Sequence, residues 1–188
     1  MNTPIDISTV ILKTDRLLLR PWRETDLRDF YAYASVDGVG QMAGWAPHKD
    51  ITESKRILDL FIAGKRTFAI EYQGKVIGSL GIEKYNEEHY PELSNLSGRE
   101  IGYALSKEYW GRGFMPEAVK AVIAYLFDTV NLDFILVGHF DYNRQSARVI
   151  EKCGFHYIKT CPYETQYGKI ETSEESILYH PRFIVSPI

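Results

Sequence analysis

The sequence predicts an α/β fold: a mixed, mostly antiparallel central sheet of six to seven strands flanked by about four helices, in one domain over residues 1–188. Two observations carry this. The first half strings alternating apolar runs around a tight hairpin turn, with two helical patterns inserted. The second half reads strand, helix, strand, helix, strand, and an antiparallel half followed by that order gives a mixed sheet. No internal repeat, low-complexity tract or linker interrupts the chain.

Residues 12–20 alternate, with Leu17 and Leu19 on one face, and Pro21 closes them as a first strand. Thr25 is placed to cap a helix that carries Leu27, Phe30, Tyr31 and Ala34 on one side. Gly38, Gly40 and Gly44 break that pattern, and Pro47 with Thr52 opens a second helix built on Ile57, Leu58 and Phe61. Residues 67–72 and 76–84 flank the turn Gln73-Gly74-Lys75 as a hairpin. A polar loop, 86–98, leads to a strand at 100–105. Helix 116–127 has Val119, Val122, Ile123 and Leu126 at helical spacing, and the unbroken apolar start of strand 134–140 marks burial on both faces. Helix 144–153, strand 155–160 and an antiparallel return strand at 170–179 complete the order.

Composition narrows the function. A net charge of −3 without a Lys/Arg stripe argues against nucleic acid as a partner. No apolar run nears the ~20 residues needed to span a bilayer, so no membrane association is expected. The start, Met1 to Asp6, lacks a signal-peptide pattern, and a cytoplasmic protein is expected. Cys153 and Cys161 are too few for a disulfide framework, and no Cys-x-x-Cys or paired-His spacing suggests a metal. The 13 Tyr, 9 Phe and 3 Trp suit a deep core or an aromatic-walled pocket.

The most informative stretch is Tyr109-Trp110-Gly111-Arg112-Gly113-Phe114-Met115-Pro116-Glu117-Ala118, which runs from a strand into a helix. Two glycines and a helix start let backbone N–H groups converge on an anion, most naturally a phosphate, with Pro116 at the first helical position. A plain strand-to-helix turn would use the same residues. A Rossmann fingerprint is absent because Glu117 takes the place of its last glycine, and no Gly-Lys-Ser/Thr exists for a Walker loop. Thirty residues later come Asn143-Arg144-Gln145-Ser146 and Glu151-Lys152-Cys153-Gly154-Phe155.

Together these strings resemble the two core motifs of the GNAT acyltransferases, over roughly residues 14 to 180, and most closely the RimJ/RimL-like branch. The resemblance implies a central strand pair that splays apart and acetyl-CoA as cosubstrate. It places Tyr103, Ala104, Leu105, Gly111, Arg112, Gly113, Phe114, Met115 and Asn143 around the coenzyme. Trp110 and Met115 depart from the family's phosphate-loop pattern, which backbone binding tolerates. It further implies that Asn143 helps order the pantetheine arm and the reacting groups, although an Asn at a helix start also serves as an N-cap.

Many members use a tyrosine where this chain has Ile150, to protonate the departing thiolate. Ser146 is the nearest replacement, and a helix-start hydroxyl bonded back to Asn143 is the competing reading. Glu100, in a Glu-Ile-Gly-Tyr context at the start of the central strand, is the candidate base, with Glu83 the fallback. A solvated strand-end carboxylate is the plain alternative. Backbone N–H groups of Tyr103, Ala104 and Leu105 are placed to stabilise an oxyanion. Trp45, in Gly44-Trp45-Ala46-Pro47-His48, and His139 are candidate acceptor contacts, and the Glu171 to Glu175 run could attract a cationic amine. The expected activity is acetyl transfer to a primary amine, a peptide N-terminus or a small molecule, by direct attack in a ternary complex. A non-catalytic acyl-CoA-binding module is the alternative. A monomer and a homodimer fit equally.

Overall fold

The computed structural model describes residues 1–183. Eight strands form one sheet: β1 (Leu12–Lys13), β2 (Leu18–Pro21), β3 (Thr67–Tyr72), β4 (Lys75–Glu83), β5 (Gly98–Leu105), β6 (Phe134–Phe140), β7 (His156–Glu164) and β8 (Ile170–Tyr179). Their order is β1-β2-β3-β4-β5-β6-β8-β7. All neighbours are antiparallel except β5 and β6, which run parallel. The helices are α1 (Leu27–Ala34), α2 (Ile51–Gly64), α3 (Phe114–Ala124) and α4 (Arg144–Lys152).

The strand count exceeds six to seven because the expected first strand breaks in two. Leu17 N–H bonds back to the Thr14 hydroxyl at 2.9 Å, making a turn between β1 and β2. Thr25 caps no helix. Asp26 precedes α1 and accepts the Arg23 N–H at 2.8 Å from the turn before it, and α2 opens one residue before Thr52, with Asp50 accepting from Glu53 N–H at 2.9 Å as its cap. The third helix starts two residues early, at Phe114, and passes after Ala124 into one π turn over Tyr125–Thr129. Within the hairpin, Gln73 and Gly74 take positive φ values of 51° and 79°, the turn that matches strand twist. The polar loop holds two short 3-10 turns, from which Tyr90 and Leu93 drop into a small core with Tyr85, Phe134, Leu136 and Ile177.

Strand alternation divides the remaining core. Ile77, Ile101, Leu105, Ile135 and Val137 point to one face and pack under α3 and α4. Ala69, Val76 and Ala104 point to the other and pack under Phe30, Tyr33 and Ala34 of α1 and Leu58 of α2. A buried ion network fastens α1 to the sheet: Arg20 makes two 2.8 Å bonds to Asp26 and one of 2.7 Å to Glu71.

Arg20 and Asp26 side chains are only 5% and 7% exposed, so removing one partner strands the other. Asp26→Ala is expected to destabilise the fold by about 3 kcal/mol, read from urea unfolding midpoints. A loss below about 1 kcal/mol would mean the pair is solvated like a surface bridge.

Candidate active site

The site begins where β5 and β6 separate. Their ladder joins Gly98 to Phe134, Arg99 to Ile135, Glu100 to Leu136 and Ile101 to Val137, and ends there. β5 stays paired to β4 as far as Leu105, while β6 follows β8 as far as Phe140. The backbone of residues 102–105 that faces β6 therefore has no strand partner. Trp110 helps hold the parted end: its indole N–H donates to the Leu105 carbonyl at 2.7 Å, and its ring packs against both main cores. Trp110 thus closes the strand end rather than facing an anion.

Immediately beyond lies the glycine loop. Gly111 and Gly113 have φ values of 73° and 78°, conformations that a residue with a Cβ adopts at a cost of roughly 1–2 kcal/mol. Gly113 is the N-cap of α3 and no side chain caps it, so the N–H groups of the first helical turn face outward. Pro116 is the third helical residue rather than the first; its missing N–H still falls among those no helical carbonyl reaches. A Cβ on Gly111 would meet nothing within 4 Å, which leaves a cradle open to solvent. This fits a phosphate group: donors, helix dipole and space coincide. Arg16 anchors the loop, donating to the Arg112 carbonyl at 3.0 Å and to Glu117 at 2.7 Å. The Arg112 guanidinium lies 5.0 Å from the Phe114 ring and 5.3 Å from Tyr109, exposed beside the cradle. Phe114 and Met115 turn their side chains into the core and present only backbone.

At the end of β6, Asn143 caps α4, its Oδ1 accepting from Ser146 N–H at 3.1 Å. Its Nδ2 donates to the Met42 carbonyl at 3.2 Å, which ties α4 to the turn that precedes Trp45. The Ser146 hydroxyl does not return to Asn143. It lies 2.8 Å from the Tyr103 hydroxyl across the gap between β5 and α4. Burial raises the Tyr103 phenol well above its usual range, so it stays protonated.

One cavity of about 750 Å³ joins these parts, lined by the glycine loop, the parted strands, Asn143, Ser146, Trp45 and His139. Trp45 packs 5.3 Å from the His48 ring, and its indole fills the space that a Cβ on Gly40 would need. His139 is occupied by Glu174, with Nδ1 3.2 Å from the Glu174 carbonyl and Nε2 3.5 Å from its carboxylate. Alternation places it on the face opposite Gly138.

On the α1/α2 face the cavity contains Glu83, Glu100 and Glu175. Glu83 is paired with Arg66 at 2.7 Å. Among the described residues Glu100 has no hydrogen-bond or ion partner. Burial pushes its carboxyl up to about 7, with the neighbouring Glu175 and Glu83 carboxylates adding to the rise. Glu175, only 7% exposed, was legible merely as part of an acidic run. The signal that finds it is phase: it shares a strand face with buried Ile177, two residues on.

A family model described as an acetyltransferase (GNAT) domain matches residues 16–156. The chain belongs to the GNAT acetyltransferase family. A curated relative, the uncharacterised N-acetyltransferase YoaA of Bacillus subtilis (strain 168), is 30% identical over 181 residues, covering 88% of this chain and 98% of that one. A GNAT-family acetyltransferase structure from Bacillus anthracis superposes with a TM-score of 0.76 at 22% identity, covering 91% of this chain and 99% of that one. Mycobacterium smegmatis RimJ, solved with CoA-disulfide, superposes with a TM-score of 0.71 at 20% identity, covering 90% and 85%. The GNAT fold is that of this protein, and acetyl-CoA is its acyl donor. No helix among the described residues is long and apolar enough to cross a membrane.

Two outcomes follow from this geometry. Gly113→Val should weaken acetyl-CoA binding at least about tenfold in calorimetry through backbone strain at positive φ, while the fold survives. Unchanged affinity would remove the phosphate from this loop. For Glu100, the folded value near 7 lies above the ordinary 4.5. The folded state then binds more protons between those values, so stability falls as pH rises from about 4.5 to about 7 and is level above. Glu100→Gln removes that slope and should gain on wild type by on the order of 3 kcal/mol across the window in urea unfolding. A pH-independent difference would mean that Glu100 is solvated.

Proposed function

We propose that this acetyltransferase moves the acetyl group to a primary amine, that of a peptide N-terminus or a small molecule, by direct attack within a ternary complex. The observation that carries the reading is the unpartnered Glu100 carboxylate, which shares one cavity with the Tyr103–Ser146 hydroxyl pair and the unpaired backbone of β5.

In this reading the glycine loop and the α3 N-terminus hold the coenzyme's pyrophosphate, and the gap between β5 and β6 admits its pantetheine arm. Glu100 takes one proton from the incoming ammonium, and the freed nitrogen lone pair attacks the thioester carbonyl. A base near pKa 7 suits this at neutral pH, because about half of it is ionised and that half is far more basic than an ordinary carboxylate. N–H groups among Tyr103, Ala104 and Leu105 stabilise the oxyanion. As the C–S bond breaks, the sulfur receives a proton from Ser146, which Tyr103 supports by donating to the serine oxygen, and one of the two protons lost by nitrogen returns to the serine to restore its hydroxyl. The nitrogen's second proton leaves with the collapse, so one proton is released overall. Asn143 is a positioning residue that fixes the start of α4 beneath Ser146. This pair of hydroxyls does the work of the family tyrosine that is absent at Ile150, a residue buried in the core.

Thiol release from acetyl-CoA over a panel of amines tests the reading; release at the uncatalysed rate with every amine would contradict it. Glu100→Gln should lower kcat/KM by about 10²-fold or more near neutral pH and recover part of it in alkali, where solvent supplies free amine. Ser146→Ala and Tyr103→Phe should each lower kcat more than they raise KM. The double variant should lose much less than the sum of the singles, because one pair is involved. Additive losses would separate the two hydroxyls.

A further inference from the structure

We propose that Glu175 is a specificity-determining residue: with Glu100 it forms a two-carboxylate seat that selects an alkylammonium group, an amine arriving as a cation, over one arriving uncharged. This rests on the acetyl-transfer reading of the same cavity.

Sheet register brings the two carboxylates together. Glu100 opposes Leu136 on β6, and Glu175 opposes Gly138 two residues further along the same strand. Leu136 and Gly138 share a face, so both acids point to the α1/α2 side with β6 between them. Gly138 leaves them uncovered. A Cβ there would stand 2.8 and 2.9 Å from the two Glu175 oxygens and 3.0 Å from the Ser173 hydroxyl. On β5, a Cβ on Gly102 would meet nothing within 4 Å. Two positions without side chains thus keep a trough beside the carboxylates, and the trough is part of the cavity that holds Ser146.

Glu175 is held in place but not neutralised. The Ser173 hydroxyl donates to its Oε1 at 2.7 Å, and Cys161 Sγ lies 3.6 Å from the same oxygen. Among the described residues neither Glu100 nor Glu175 has a cation within salt-bridge distance. Nearby cations are engaged elsewhere: Arg66 with Glu83 at 2.7 Å, and Lys159 over the Tyr90 ring at 3.6 Å. Glu83, Tyr90, Cys161 and Tyr163 are the other titratable groups around the pair, and none brings positive charge. Two carboxylates facing one trough with no cation between them repel one another. A bound ammonium removes that repulsion and satisfies the free oxygens, whereas a neutral amine offers no such gain.

The chemistry then balances. The alkylammonium yields one proton to Glu100 and attacks as the free amine, while Glu175 remains the counter-charge. An alkylamine near pKa ~10.4 is neutral in fewer than about one molecule per thousand at neutral pH, so it requires such a seat more than an α-amine near ~7.8 does.

Butylamine and aniline are the probes, since only the first is a cation near neutral pH. For Glu175→Gln, which keeps an oxygen to accept from Ser173, the ratio of kcat/KM for butylamine over aniline should fall about tenfold or more. Gly138→Ala, whose Cβ displaces the Glu175 carboxylate, should lower the ratio in the same direction. Equal losses for both amines, or no loss, would overturn the seat and leave Glu175 a structural residue. NMR titration of butylammonium, with and without coenzyme A, separates the two readings. Glu175-dependent binding without thiol release from any amine would support the seat and count against acetyl transfer. Equal binding by wild type and Glu175→Gln would overturn the seat whatever the turnover. Thermal unfolding of both variants checks that they fold.

Discussion

The rest of the site depends on a backbone constraint: β5 and β6 share only four residue pairs before each commits to a different neighbour. A sheet interior normally pairs every N–H and C=O, and leaving them open costs free energy unless something else satisfies them. Here β6 is held along its full length by β8, and β5 by β4 from Glu100 to Leu105. Neither strand needs the other beyond Ile101 and Val137. The Trp110 indole takes the Leu105 carbonyl, the last acceptor at the parted end. The opening is therefore a stable property of the sheet, and polar backbone groups remain within it for a ligand.

Both chemical motifs hang from the two ends of this opening. The glycine loop follows β5 and leads into α3; Asn143 follows β6 and starts α4. Since the strands diverge, the two helix starts stand on either side of the gap, and the Tyr103–Ser146 contact bridges it. The roof is built from distant segments. Asn143 bonds to Met42, and the Gln166 N–H in the β7–β8 turn bonds to the Gly44 carbonyl at 2.8 Å. Trp45 is fixed between these two attachments, which accounts for a tryptophan within a glycine-broken segment.

The two sheet faces divide the chemistry. α3 and α4 cover one face and supply the anion cradle and the serine, so the coenzyme side is lined by helix starts and apolar packing. The opposite face, between α1/α2 and the loop carrying Tyr90, contains the carboxylates over strand glycines. In the proposed reaction, a positive dipole end for phosphate and a negative trough for an amine are thus kept on opposite sides of one sheet. Direct transfer across the gap suits that separation, because neither reactant has to pass the other's counter-charge.

Local pattern in the sequence was enough for the element order, for strands 134–140 and 170–179, and for the Gly111–Gly113 turn, because alternation, helical spacing and backbone freedom are properties of neighbours in sequence. Glu100 and Ser146 are singled out by the family resemblance rather than by local pattern. The split between β1 and β2 and the starts of α1 and α2 escaped it, since a few local hydrogen bonds decide each one, whereas the Asn143 cap of α4 was legible. Three features required tertiary structure: the Tyr103–Ser146 pair, the capture of the Leu105 carbonyl by Trp110, and the meeting of Glu100 with Glu175. Tyr103 and Ser146 are 43 residues apart, and Glu175 joins its partner only because β8 is inserted between β6 and β7. Strand order is set by long-range burial rather than by local preference, and a carboxylate's charge state follows from what that burial places beside it.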